Sequence, residues 1–268
     1  MAAHAATLLG VESMVFSTKR KSPLYGAQYL HKPIPFMTPR GSVEVEYRLV
    51  GTAEQYRSKV YGPMWDGTVS PEDLAESHQA WDIRATYDRL WEVYSEHIND
   101  LSLDPGTVHR MMDMMGDEVD LWVNTIPMPA LCSQGHAFGS IKVWAAGDAP
   151  DLGIDIGSTF RAQPNSVVCN GNGAPAWYRL SNIYGHTTVE WPGDIRPPVR
   201  TASEVTKPTS TTCTCFPRMM RVGRYGSWEK GVLSHTAFDK VYGRLEDMIS
   251  GKAAKEGQGV DTPLPGVW

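Results

Sequence analysis

Cysteine is scarce: Cys132, Cys169, Cys213 and Cys215 are the only four in 268 residues, and none forms a CxxC pair. So low a count points to free thiols and away from a disulfide framework or a zinc site. Long apolar runs are missing as well. No stretch approaches the roughly 20 residues that cross a bilayer, and no signal peptide is visible, so the expectation is a cytoplasmic protein with no membrane partner. An excess of one charge is also absent. A formal net charge of −5 and a pI near 5.9, with the signs scattered, argue against a dedicated electrostatic nucleic-acid binder and leave room for a local basic groove. Aromatic residues, by contrast, are plentiful. Nine tryptophans and eleven tyrosines suit a core with aromatic-lined pockets. The length is enough for one large domain or two intertwined ones.

The stretch from Arg221 to Asp239 combines an apolar approach (Met219, Met220, Val222), glycines at 223, 226 and 231, and an amphipathic helix expected from about Val232 to Met248. Glycines admit a ligand close to the backbone, and a helix start offers unpaired N–H groups and the positive end of a dipole. This is an anion trap in outline, and in isolation also the pattern of a surface turn before a terminal helix. The chain opens on an alanine- and leucine-rich helix ending at Gly10, followed at once by an apolar strand, Val11 to Ser17. That is half of a βαβ unit.

Further along, Val43 to Val50 alternates as a half-wet strand, and Arg57 to Gly62 reads as a second strand or edge. Ser70-Pro-Glu-Asp73 has the form of a helix start. Trp81, Ile83, Tyr87, Leu90, Trp91 and Tyr94 recur at helical spacing, as core rather than cofactor contacts; Asp82, Asp88, Glu92 and Glu96 form the exposed face. Val108 to Met115 is a methionine-rich helix closed by Gly116. A buried strand then rises to Asn124-Thr-Ile-Pro127. From Leu131 to Glu204 short apolar runs alternate with glycine, proline and asparagine, the texture of a mostly antiparallel sheet, with Gly171-Asn-Gly173 as a hairpin turn. Arg200 to Thr214 reads as a connector and Cys215 to Val222 as the last strand. Cys132 and His136 are two conceivable metal ligands, but no second pair at sensible spacing accompanies them, so no metal is expected. Trp177, Tyr178 and Arg179 could stack on and pin an aromatic or anionic substrate.

The segment Ala2-Ala-His-Ala-Ala-Thr-Leu-Leu-Gly-Val-Glu-Ser-Met-Val-Phe-Ser17 resembles the one that follows the GxGxxG loop in FAD-dependent oxidoreductases of the Rossmann type, with the first strand and its glycine loop absent. Asn124-Thr-Ile-Pro127 is similar to the Thr-x-Pro strand end of the amine-oxidase and UDP-galactopyranose-mutase groups. Val222-Gly-Arg-Tyr-Gly-Ser-Trp228 resembles their late Gly-Arg-x-Gly segment. The resemblance implies an α/β fold: an FAD/NAD(P)-binding Rossmann-like domain (1–60, 100–130 and 205–250), a helical insertion (61–99), an antiparallel substrate domain (131–204) and a flexible tail (251–268). It implies FAD contacts from Ser17, Lys19, Arg20, Gly26, Ala27, Gln28, Thr125, Pro127, Gly223, Arg224 and Gly226, with backbone N–H groups from Val232 and Leu233. Ser17 stands where the family has a ribose-binding acid, and the cations after it permit phosphate contacts instead.

Tyr29, His31, Trp177, Tyr178 and Arg179 would then face a small-molecule or nucleotide substrate, with His31, Tyr178 and His235 as catalytic candidates. The implied activity is an FAD-dependent oxidoreduction. Some phage DNA-base-modifying enzymes are small flavoproteins of this kind, so a non-redox mutase or lyase stays open. So does a truncated Rossmann-like binding or structural protein without flavin activity, its gap covered by a second chain or an oligomer.

Overall fold

The computed structural model describes residues 1–18, 24, 29–65, 67–116, 118–147, 163–197 and 199–251. Lys19, Arg20, Gly26, Ala27, Gln28 and the tail 252–268 lie outside the described residues. The chain is mixed α/β, with one large mixed sheet, two short parallel strand pairs and seven α-helices among the described residues. No helix among them is long and apolar enough to cross a membrane.

Helix α1 (Ala2–Leu8) leads into β1 (Val15–Ser17), which pairs in parallel with β4 (Ile98–Asp100), Val15 opposite Ile98. The second parallel pair joins β5 (Trp122–Asn124) to β11 (Met219–Arg221), Met219 opposite Trp122. Helices α3 (Ile83–Tyr94) and α7 (Ser234–Ile249) close over these strands. Ala237, Phe238, Val241 and Leu245 fall on one face of α7 by the 3.6-residue period, and they bury against Ala5 and Ala6 of α1, Leu30, Ile34 and Leu90. Val123 of β5 and Met220 of β11 pack on the same cluster.

The seven-stranded sheet runs in the order β10-β6-β9-β8-β7-β2-β3. Its strands are β2 (Val43–Val50), β3 (Ser77–Ala80), β6 (Phe138–Gly147), β7 (Ser166–Asn170), β8 (Arg179–Ile183), β9 (His186–Pro192) and β10 (Ser203–Thr211). All neighbours are antiparallel except β2 and β7. The sheet therefore recruits strands from well before residue 131 and from beyond residue 204.

Three local expectations are corrected. Residues 57–62 are not a strand but the end of α2 (Ala53–Tyr61), started by a capping box in which the Thr52 hydroxyl accepts from Gln55 N–H and the Gln55 side chain accepts from Thr52 N–H. Ser70-Pro-Glu-Asp73 starts only a single 3₁₀ turn, because no apolar stripe follows to bury. The helix begins instead after Asp82, whose carboxylate accepts from the Arg84 and Ala85 N–H groups. Residues 203–211, read as a connector, form edge strand β10 against β6. Their threonines and Val205 suit a strand, and Pro208 sits beside a bulge where a missing N–H is tolerated. The remaining helices are α4 (Pro105–Met115), α5 (Met128–Leu131) and α6 (Gly223–Ser227).

Register decides which residues share a face. The pairs Val45 with His78, Tyr47 with Val167, Cys169 with Arg179, Arg179 with Glu190, and Glu190 with Ala145 place these side chains together on one side of the sheet. Lys207 joins them from β10, two residues beyond the Val205–Val143 pair. The opposite side buries Val168, Trp177, Leu180, Val189 and Trp191 as a separate apolar cluster.

Candidate functional site

A cavity of about 1590 Å³ reaches from the small parallel strands to the polar side of the large sheet. At one end it is lined by Val15 and Phe16 of β1 and by Trp122, Val123 and Asn124 of β5. Thr125 follows β5 and Gly223 follows β11, and both line the cavity. Gly223 takes φ +71°, and a side chain built there would meet nothing within 4 Å. Val232, Leu233 and Ser234 bring the start of α7 to the same wall, and that helix start has no side-chain cap. Its first N–H groups therefore keep their donor capacity for a ligand or solvent.

The other end is polar. Glu190, 2% exposed, accepts from the Arg179 guanidinium and from Lys207 Nζ at 2.7 Å. Lys207 Nζ also donates to the Tyr178 hydroxyl at 2.9 Å and lies 5.4 Å from the centre of that ring. Burial pushes the Glu190 carboxyl up, but Arg179 and Lys207 outweigh it and hold it at about 2. Burial lowers the Lys207 ammonium to about 8 against the pull of Glu190. Arg224 lines the same cavity, and its buried Nε has no hydrogen-bond partner among the described residues. Three cationic side chains thus face one carboxylate. An anionic ligand would satisfy the surplus.

Beside this cluster, the Tyr29 hydroxyl donates to the Tyr47 hydroxyl at 3.2 Å. The His31 ring stands 4.5 Å from that of Tyr29, 5.8 Å from His78 and 6.1 Å from His235, centre to centre. Burial, then His78 and His235, lower His31 to about 4, which leaves it neutral at pH 7. His235 is lowered by burial too, and its Nδ1 is buried without a hydrogen-bond partner among the described residues.

No protein-family model, no curated protein and no solved structure matches the chain.

Of the residues singled out in the sequence, the structure gathers Tyr29, His31, Thr125, Arg179, Gly223, Arg224, Val232 and Leu233 on the cavity wall. Tyr178 and His235 stand just behind it, held to Lys207 and against His31. Gly226 is elsewhere: a Cβ there would come 2.4 Å from the carbonyl oxygen of Asn124, so this glycine lets α6 pack on the end of β5. Pro127 caps α5, Trp177 is buried on the far side of the sheet, and Ser17 ends β1 exposed opposite Asp100. Glu190, Lys207, Tyr47 and His78 escaped the sequence reading. Glu190 left no signal of its burial, because Val189-Glu-Trp191 alternates as a strand with one wet face does.

One premise of the sequence reading is corrected by the structure, that Cys132 and His136 stand without a second pair. The second pair held to be missing beside Cys132 and His136 is Cys213 with Cys215. The donor atoms of all four lie within 4.8 Å of one another.

Proposed function

We propose that this chain forms the cofactor- and substrate-facing part of an FAD-dependent oxidoreductase of the Rossmann type, acting on a small or nucleotide-type anion. One observation carries the reading. The carboxyl ends of two parallel strands, β5 and β11, deliver Thr125, Gly223 and the uncapped start of α7 to one cavity wall, where open parallel α/β sheets bind ligands. The residues fit an elongated anion such as a dinucleotide. Gly223 offers open space beside its Cα, Arg224 has a buried Nε with no hydrogen-bond partner among the described residues, and α7 starts at a Leu233 that makes no side-chain cap.

Bound there, FAD would supply hydride and electron transfer. The chain's own part is to hold and orient. Gly223, Arg224, Val232 and Leu233 would hold the cofactor. Arg179 and Lys207 would fix an anionic substrate, and neutral His31, backed by His235, could accept a proton at a ring nitrogen. The experiment is a fluorescence titration of purified protein with FAD, together with a thermal shift. Saturable binding that raises Tm is expected; a chain whose Tm FAD leaves unmoved sinks the proposal.

The second reading is a Rossmann-like binding protein without flavin activity of its own. It is favoured by the strand edges: among the described residues β1 pairs only with β4 and β5 only with β11, while both line the same cavity. A further parallel strand between them, from a second chain, would join the two pairs into one sheet. Absence of FAD binding by the chain alone, restored by a co-purified partner, selects this reading.

A further inference from the structure

The geometry points to a zinc site built from Cys132, His136, Cys213 and Cys215, which ties the end of the β6–β10 ribbon to the α5 turn. It is independent of the flavin proposal, since none of the four lines the large cavity.

The site follows from strand register. Phe138 at the start of β6 pairs with Thr211 at the end of β10. The segments just outside that pair therefore run side by side, and the ladder continues through Thr212 N–H to the Ala137 carbonyl at 3.2 Å and Ala137 N–H to the Thr212 hydroxyl at 3.2 Å. His136 and Cys213 are the next residues on each side, and Cys215 follows two residues on. Cys132 arrives from the other direction, at the end of α5, where its N–H bonds the Met128 carbonyl at 3.0 Å. The α5 turn, one loop and one strand end thus converge.

The separations suit a tetrahedral ion. His136 Nδ1 stands 3.3 Å from Cys132 Sγ and 3.6 Å from Cys215 Sγ. Ligand bonds of about 2.0 Å to nitrogen and 2.3 Å to sulfur place donors about 3.5 to 3.8 Å apart around zinc. The widest separation in the set, at most 4.8 Å, closes with a small inward shift. Three thiolates and one imidazole are soft and borderline donors. They select zinc over magnesium or calcium, and four protein ligands leave no open position, which marks a structural site.

The surroundings support the ligands. Arg221 donates from Nη1 to the Cys213 carbonyl at 2.7 Å and from Nη2 to the Cys215 carbonyl at 2.8 Å. Its guanidinium holds the loop in shape and sits beside a site of three thiolates and one Zn²⁺ whose net charge is −1. Phe216 turns the chain through a left-handed φ of +57° straight after Cys215. Met128, Leu131, Val108, Met112 and Trp228 pack around the site as an apolar shell.

The test uses the whole chain, purified under reducing conditions. Elemental analysis is expected to find about one zinc per chain. Replacement by Co²⁺ should give the visible absorption of tetrahedral cobalt with thiolate charge transfer, and removal by a strong chelator should lower Tm. His136→Cys keeps four ligands, so it should retain zinc and alter the cobalt spectrum. The proposal is overturned by protein that is metal-free and takes up neither ion, by a disulfide among these cysteines in place of metal, or by zinc retained at full stoichiometry in the Cys213→Ser/Cys215→Ser double variant.

Discussion

Arg179 on β8 and Glu190 on β9 stand directly opposite each other in the ladder and form an ion pair inside the cavity wall, with Lys207 from β10 closing on the same carboxylate. The arrangement places three strands' worth of charge on one sheet face. It also leaves a surplus of positive charge facing the cavity.

Replacing Glu190 with glutamine should leave two half-buried cations without their counter-charge. Loss of one partner of a buried pair costs about 3 to 5 kcal/mol. Urea unfolding should show a drop of that order. In the parent protein, the depressed Glu190 carboxyl stabilises the fold fully above the unfolded carboxyl range and loses that contribution as pH falls from about 4.5 through about 2. The Glu190→Gln variant should lack this acid limb.

His31 gives a second pH dependence in a separate window. Its folded pKa, about 4, lies below the unfolded value of about 6.5, so the unfolded chain takes up the proton first on acidification. Stability from this residue is complete above pH 6.5 and is lost as pH falls toward 4. His31→Asn should flatten that part of the stability profile. A His31 ring signal titrating near 6.5 in the folded protein would contradict the burial described above.

Arg224 is the sharper probe of the proposed cofactor wall. Charge-assisted hydrogen bonds are worth about 1.5 to 3 kcal/mol, so Arg224→Ala should weaken FAD binding by roughly 10- to 100-fold. Stability should change little, because Nε has no hydrogen-bond partner among the described residues to lose. Equal FAD affinity in parent and variant would remove Arg224 from the site.

Two neighbouring glycines should lose stability for different reasons, and only one of them should affect binding. Gly226→Ala drives a methyl group against the Asn124 carbonyl and should cost about 1 to 3 kcal/mol of stability, whatever the ligand. Gly223→Ala meets open space and only strains a left-handed backbone, by about 1 to 2 kcal/mol. Under the flavin proposal it also narrows the approach to the cavity. Comparing Tm with FAD affinity for each variant separates packing from binding.

Periodicity and end signals made much of this chain legible. The stripe from Ile83 to Tyr94 and the run from Ser234 to Ile249 fold as the helices their spacing specifies, since each buries one apolar face. The strand Val43–Val50 likewise follows its alternating pattern. The glycine at 223 was legible as a turn, and it takes a left-handed φ of +71°, because backbone freedom is a local property.

What the sequence could not decide by itself was proximity. Arg179, Glu190 and Lys207 meet through the order and register of three strands, and His31 meets His235 across about 200 residues of chain. Cys132 and His136 lacked a partner pair in the linear reading because Cys213 and Cys215 are some 80 residues away. Only the pairing of Phe138 with Thr211 brings them to the same point, and strand register is a collective property of packed faces that no short motif encodes.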